Sequence, residues 1–598
     1  MLAPAAVKRR FQLVLIKNSH YDDDGYVIQW WRSSIPSNSL ASVYSLVRDA
    51  AERRVLGPDV EIDIVAIDET NTRVNVRKIV KLFQRHGGFG MVGLVGVQSN
   101  QFPRALDVAR PLRKAGIPVV IGGFHVSGLL AMLPTMPADL QEAVDLGCTL
   151  FAGEAEGRID GILRDAAAGT LKPIYNYMND LPSIEATPAP YLPPETVSRI
   201  WGQYASFDAG RGCPFQCSFC TIINVQGRKS RSRSPDDIER LVKRYWADGI
   251  RHFFITDDNF ARNKDWEAIF DRLIKIREQD KIILRLIIQV DTMCHKIPNF
   301  IAKAARAGVV KVYIGLENIN PENLLAAKKR QNKITEYRKM LLEWKRAGVL
   351  IYAGFIMGFP GDTPESMLRD VEIIKRELPL DILEFMYLTP LPGSEDHKVL
   401  WQKGVWMDPD MNKYDLEHVT TAHPRMTAEE WDRAYRAAWD AYYTSEHKMT
   451  IFRRFASCGP HMGVSRLLAV LFAFSTAFPI EKMHPLQTGG FRLKYRLDRR
   501  PGLPIEPAWK FYPRYVWEML SKHARLASHW LELAAMYRRV RREQKAGTYT
   551  DVAMTPVNDD ETDTLEMFTH NDAVRKEVAH QRKVDALTHG RPQPAGAA

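Results

Sequence analysis

Cysteine is scarce in this chain, with six in 598 residues. That count, with three of the six inside eight residues, excludes a disulfide framework and fits a reducing compartment and a metal site. Long apolar runs are also scarce. The opening "MLAPAAVKRRFQLVLIKNSHYDDDG" offers only a six-residue apolar run before Lys17, too short for a secretory signal. The most apolar stretch, "VSRLLAVLFAFSTAFPI" (464–480), contains Arg466 and falls short of the roughly 20 residues that span a bilayer. It reads as a buried helix or, second, an interfacial one. A cytoplasmic, monomeric protein is expected. The net charge of +11 permits anionic partners without selecting one. No nucleic-acid-binding module accompanies it, so nucleic acid is not expected.

What is present suffices for several cores: 45% of residues are hydrophobic and 26% charged, and a chain this long divides into two to four domains. Residues 1–185 alternate strand-like runs such as "FQLVLI", "VEIDIVAI", "MVGLVGV" and "PVVIGG" with amphipathic stretches, predicting a parallel sheet covered on both faces. A Pro-rich linker follows, "LPSIEATPAPYLPPET". Residues 200–420 repeat strand–helix units of about 30 residues, the pattern of a β/α barrel with chemistry at the strand C-terminal ends. Residues 425–545 are helical and aromatic-rich, and 546–598 are expected to be largely disordered apart from a short helix.

The chemistry concentrates in "RGCPFQCSFC", which spaces Cys213, Cys217 and Cys220 as C-x3-C-x2-C. Thiolates are soft ligands that suit zinc and iron–sulfur clusters. A closed zinc site or a fully ligated cubane wants four ligands, and Cys148, Cys294 and Cys458 are distant in sequence. Three ligands leave one iron of a [4Fe–4S] cube open. The alternative, a zinc site completed by a remote Cys or His, lacks the usual second pair.

With Phe219 before the last cysteine and a strand-like "YASFDAGRG" ahead of it, this loop resembles the signature of the radical S-adenosylmethionine (SAM) superfamily. The resemblance implies a partial (β/α)6 barrel, a [4Fe–4S] cluster on Cys213, Cys217 and Cys220, and SAM chelated to the open iron. Cleavage of SAM would yield a 5′-deoxyadenosyl radical, with electrons from a donor such as flavodoxin or ferredoxin. Further strand ends resemble the family's SAM contacts. "FFITDDNF" offers Asp257, Asp258 and Asn259 to the amino group, and "YIGLEN" places Glu317 near the ribose or methionine end. "GFIMGFPGDT" brings the backbone at Gly354 and Gly358 toward the adenine, and "LTPLPGS" places Pro392 at the adenine pocket. The basic run "GRKSRSRS" is either a solvated loop or charge balance through Arg231 or Arg233.

Ahead of the barrel, "GGFHVSG" and "CTLFAGEAEG" resemble loops of a Rossmann-like cobalamin-binding domain, implying Gly122, Gly123, His125, Gly153 and Glu154 as neighbours of the cofactor. None of the 16 histidines has the D-x-H-x-x-G context of a cobalt-ligating histidine, so cobalamin would bind without that ligand. The loop "HYDDDGYVIQWWRSSIPSNS" (20–39) either covers the corrin and touches substrate or packs on another domain. The resemblance implies methylation of an unactivated carbon. Oxidative cyclisation or rearrangement without methyl transfer is the enzymatic alternative, and a non-catalytic corrinoid or iron–sulfur sensor or carrier the other. A methylthiotransferase would need three further cysteines in a region that holds only Cys148. The substrate is expected to be a small or lipid-like molecule, with peripheral membrane contact through the basic and apolar C-terminal stretches as a further option.

Overall fold

The computed structural model describes residues 9–458, 464–543, 548–555 and 564–589. Two six-stranded parallel sheets dominate it. The first runs Val60–Asp68, Arg9–Lys17, Gly90–Leu94, Val119–Gly122, Thr149–Ala152, Ile174–Asn176. The strand order reverses beside Arg9–Lys17, which is where doubly wound sheets bind ligands. Alternation along the strands splits their side chains between two layers. Leu13, Leu15, Met91, Val120 and Phe151 pack under helices Asn38–Glu52 and Ile159–Ala168. Val14, Ile16, Val92, Leu94 and Ile121 face helices Val76–Arg85 and Phe102–Lys114. Burial on both faces explains why these strands read as continuous apolar runs.

The second sheet takes its strands in chain order: Tyr204–Phe207, His252–Ile255, Arg285–Val290, Val309–Glu317, Leu350–Met357 and Ile382–Tyr387. Its first and last strands stay unpaired with each other, giving the partial barrel expected. The apolar stretch 464–480 fills that side. Helix Val464–Thr476 packs on the last strand, Phe474 meets Tyr352 edge-on at 5.1 Å, and Arg466 lies near Tyr204 of the first strand. No helix among the described residues is long and apolar enough to cross a membrane.

The two sheets present their C-terminal edges to each other. Gly128, in helix Phe124–Met132, lies so close to Gly393 that a Cβ there would sit 2.7 Å from the Gly393 Cα. Asn38 donates to Asp208 across the same boundary at 3.2 Å. The loop 20–39 is not a lid over the sheet. Trp30–Ser33 pairs antiparallel with Gly489–Arg492, and Trp30 is buried with its indole N–H on the Gln487 carbonyl at 2.8 Å. Part of the expected disordered tail is ordered: Met567, Phe568, Val574 and Val578 are buried, and Glu377 accepts from the backbone N–H of Glu566 and Met567. Residues 544–547, 556–563 and 590–598 of that region lie outside the described residues.

Candidate active site

The cysteine loop is tied to the barrel by backbone hydrogen bonds. Gly212 adopts φ +92°, with no room for a Cβ against the Lys229 carbonyl. Cys213 N–H donates to Gly227, and Ser218 N–H to Ala327 at 3.0 Å. All three thiols are free, and Cys217 is buried. Burial pushes the Cys213 thiol up to about 11 and the Cys220 thiol to about 12, with Asp258 adding to both. Among the described residues no three Cys, His, Asp or Glu side chains close on a single metal ion.

Facing the thiols is a residue the sequence reading missed. Lys329 is buried, ion-paired with Glu317, and 5.7 Å from the centre of the Phe219 ring. Glu317 sits at φ +62°, a left-handed conformation that costs a non-glycine residue about 1 kcal/mol or more. Burial alone would lower the lysine, but Glu317 and the thiol groups of Cys217 and Cys220 raise it, so it stays cationic. Gln331 donates to the Cys217 sulfur at 3.4 Å. The run "KKRQN", which begins eleven residues after Glu317, carried this signal as a basic cluster.

The other carried-over residues divide. Asp258 lies beside the thiols of Cys213 and Cys220, and burial with the neighbouring Asp257 charge lifts its carboxyl to about 7. Asp257 is engaged by protein, accepting from Ala209 and Gly210 N–H at 2.7 and 2.8 Å and from Asn263. It fixes the strand leading into the cysteine loop. Asn259 is engaged with Asp291 at 2.9 Å, which Arg262 also grips. Gly354 faces the Tyr313 hydroxyl, 2.2 Å from where a Cβ would lie, and Gly358, at φ +98°, lies under the Trp431 ring. Pro392 is buried against Gly128 at the boundary between the sheets.

Over the first sheet lies a cavity of about 180 Å³ at the strand-order reversal. Gly122, Gly123, Gly153 and Glu154 line it, with Leu13, Leu15, Met91 and Gly93 below. Val225 and Gln226, which begin five residues after Cys220, form its far wall. Asn38 Oδ1 and Ser42 Oγ face this space buried and without a partner, an arrangement that asks for a polar ligand. His125 is the correction here. It is fully buried beneath Phe102, with Nδ1 on Ser99 and Nε2 on Asp139 at 2.8 Å, and does not reach the cavity.

Glu154 is already satisfied by protein. Arg211 binds it at 2.6 Å, Glu156 at 2.7 Å and Asp208 at 3.0 Å, all buried, while Arg231 forks onto Glu154 from the other side. Arg231 therefore balances Glu154 rather than SAM or the cluster. Arg233 is buried on the Asp208, Ile184 and Thr187 carbonyls.

Residues 209–374 match the family model described as the radical SAM superfamily. The chain is 28% identical over 356 residues to the bacteriochlorophyllide d C-8(2)-methyltransferase of Chlorobaculum tepidum, covering 57% of this chain and 74% of that one. It is 25% identical over 299 residues to the hopanoid C-2 methylase of Rhodopseudomonas palustris, covering 48% and 53%. In fold it is similar to TsrM from Kitasatospora setae, a radical SAM methyltransferase solved with cobalamin and a [4Fe-4S] cluster. That match has TM-score 0.52 and 16% identity, over 89% of this chain and 100% of that one. The cobalamin-dependent radical enzyme OxsB, solved with aqua-cobalamin and SAM, matches at TM-score 0.53 and 11% identity, over 95% and 83%. The three free thiols lie on the loop that opens the partial parallel barrel, inside the region that matches the radical SAM superfamily model.

Proposed function

We propose that this enzyme is a cobalamin-dependent radical SAM methylase acting on an unactivated carbon of a sizeable, largely apolar substrate. The observation that carries the reading is the shared wall. The turn that follows Cys220 lines, through Val225 and Gln226, the cavity over the first sheet. A cluster held by the cysteines and a ligand in that cavity would thus sit on two sides of one loop. The named relatives, one acting on bacteriochlorophyllide and one on a hopanoid, favour methyl transfer and an apolar substrate. When bound, the cluster with SAM supplies one-electron hydrogen abstraction from carbon, and cobalamin supplies a transferable methyl group.

The chain's own residues have separate tasks. Cys213, Cys217 and Cys220 hold three irons and leave the fourth open to SAM. Lys329 keeps a buried positive charge against the thiolates while Glu317 holds it in place. Asp258, with its carboxyl near 7, retains its proton over part of the physiological range and limits the negative charge beside the cluster. Asn38 and Ser42 offer unpaired oxygens to the ligand over the sheet. Asp257 and Arg211 immobilise the strand and loop between them.

The test is anaerobic purification with cobalamin supplied, then iron and cobalamin quantitation, and incubation with SAM and reductant. The reading expects about four irons per chain, stoichiometric cobalamin, and both 5′-deoxyadenosine and S-adenosylhomocysteine. A cluster without bound cobalamin would overturn methylation and leave the cyclisation or rearrangement alternative. No cluster would overturn the whole reading.

A further inference from the structure

Helix Ala508–Glu543 is a single rod of 36 residues, about 54 Å long. One side of it packs on the protein. Phe511 and Leu533 are buried, Tyr515 donates to the Arg492 carbonyl, Glu518 meets Lys494 and Lys522, and Trp530 meets Phe472 edge-on. The opposite side is largely open among the described residues. Trp509 and Trp517 are each 72% exposed, Leu520 64% and Leu531 63%, with Tyr512 and Val516 exposed between them. At 100° per residue these six fall on one stripe, free of charged residues over roughly 33 Å.

The surface continues beyond the helix. Phe491 stacks on His523 at 4.6 Å, and Trp31 meets Phe491 edge-on at 5.9 Å. Trp201 lies against Gly490, and Trp31, Trp201 and Phe491 are each about half exposed. Three segments far apart in sequence therefore bring large aromatics to one outward face, which a fold needing only a core has no reason to do.

The charges around the face select its partner. Residues 508–543 hold eight Lys and Arg against three Glu. All three acids are paired within the protein: Glu518 as above, Glu532 with Lys448 and His529, and Glu543 with Arg539. Lys510 and Arg525 border the stripe, and Arg32 lies 4.7 Å over the Trp31 ring. Tryptophan with a cationic border and no free acid is the composition of an in-plane interfacial helix. We infer that this face docks peripherally on an anionic lipid bilayer, with Trp509, Trp517 and Leu520 entering the headgroup–acyl boundary.

The test uses full-length, cluster-loaded protein in co-sedimentation with vesicles of phosphatidylcholine, and of phosphatidylcholine mixed equally with phosphatidylglycerol. The mixed vesicles should bind the protein, and brominated acyl chains should quench its tryptophan fluorescence. The combined variant Trp509→Ser, Trp517→Ser and Leu520→Ser should lose at least about tenfold in partitioning and most of the quenching, with melting temperature and iron content unchanged. Failure of the unmodified protein to bind either vesicle, or full binding by the variant, would overturn the inference. So would a dimer that the variant converts to monomer, because the face would then join two copies of the chain.

Discussion

The two parallel sheets face each other with the same kind of edge and treat their polar residues in opposite ways. Along the first sheet the conspicuous charged residue, Glu154, is saturated by Arg211 and Arg231. What is left unpaired there is small and neutral: Asn38 Oδ1 and Ser42 Oγ in a cavity with an apolar floor. Along the barrel the buried titratable groups are acids and thiols. Cys213, Cys220 and Asp258 are all held above their ordinary pKa by burial, with Lys329 as the nearby cation. A wall of neutral, unpaired groups suits a large ligand recognised by shape and a few hydrogen bonds. Buried thiols short of positive charge suit a metal cluster. On the proposed reading, the difference would put the cluster at the barrel edge and cobalamin at the other.

Removing a thiol should have the largest effect. Cys213→Ser is expected to drop iron from about four per chain to below one and abolish 5′-deoxyadenosine formation, while leaving cobalamin bound at the other edge. Loss of both cofactors together would merge the edges and break the comparison. Next is the joint between them. Arg211 is buried among Asp208, Glu154 and Glu156, so Arg211→Met strands Glu156, removes one partner each from Glu154 and Asp208, and should cost about 3–5 kcal/mol in denaturant unfolding. Arg231→Met leaves Glu154 still paired with Arg211 and should cost clearly less. Equal losses would show that the two arginines are not distinct.

How much of this was legible in the sequence depended on range. Strand periodicity and the cysteine spacing are local, and both sheets and the thiol loop follow from them. Who occupies the space over a glycine is not local. Gly358 is covered by Trp431, 73 residues later, and Gly128 meets Gly393 from the other domain. Arg231 and Arg233 looked like cations awaiting an anionic ligand because their partners, Glu154 and the 184–208 carbonyls, lie on other segments. The polar start of helix Asn38–Glu52, "NSLASVYS", was the local hint of the cavity, and the run of small polar residues on a core-facing helix was the signal to follow.

A smaller effect sharpens the first edge. Ser42→Leu places a branched side chain into the cavity without touching the barrel. Cobalamin affinity should fall about tenfold or more, equivalent to roughly 1.4 kcal/mol, with iron content unchanged in the same preparation. Unaltered affinity would move the ligand off this cavity.

The smallest effect concerns the clasp by which the C-terminal region holds the first domain. His418 bridges Asp415 at 2.9 Å and Asp23 at 3.1 Å. Burial opposes its protonation, but the hydrogen bonds to the two aspartates prevail and hold the imidazolium to about 10, against an ordinary 6.5. A raised folded pKa stabilises fully below 6.5 and loses that stabilisation as pH climbs from 6.5 through 10. His418→Gln should therefore lower the melting temperature by about 2–4 °C at pH 6, after allowance for its partial exposure. The gap between variant and parent should close by pH 10. The Arg211→Met deficit, resting on a guanidinium that does not titrate in this range, should persist across both pH values. A His418 deficit that is flat with pH would place the clasp's strength in packing rather than in its charge.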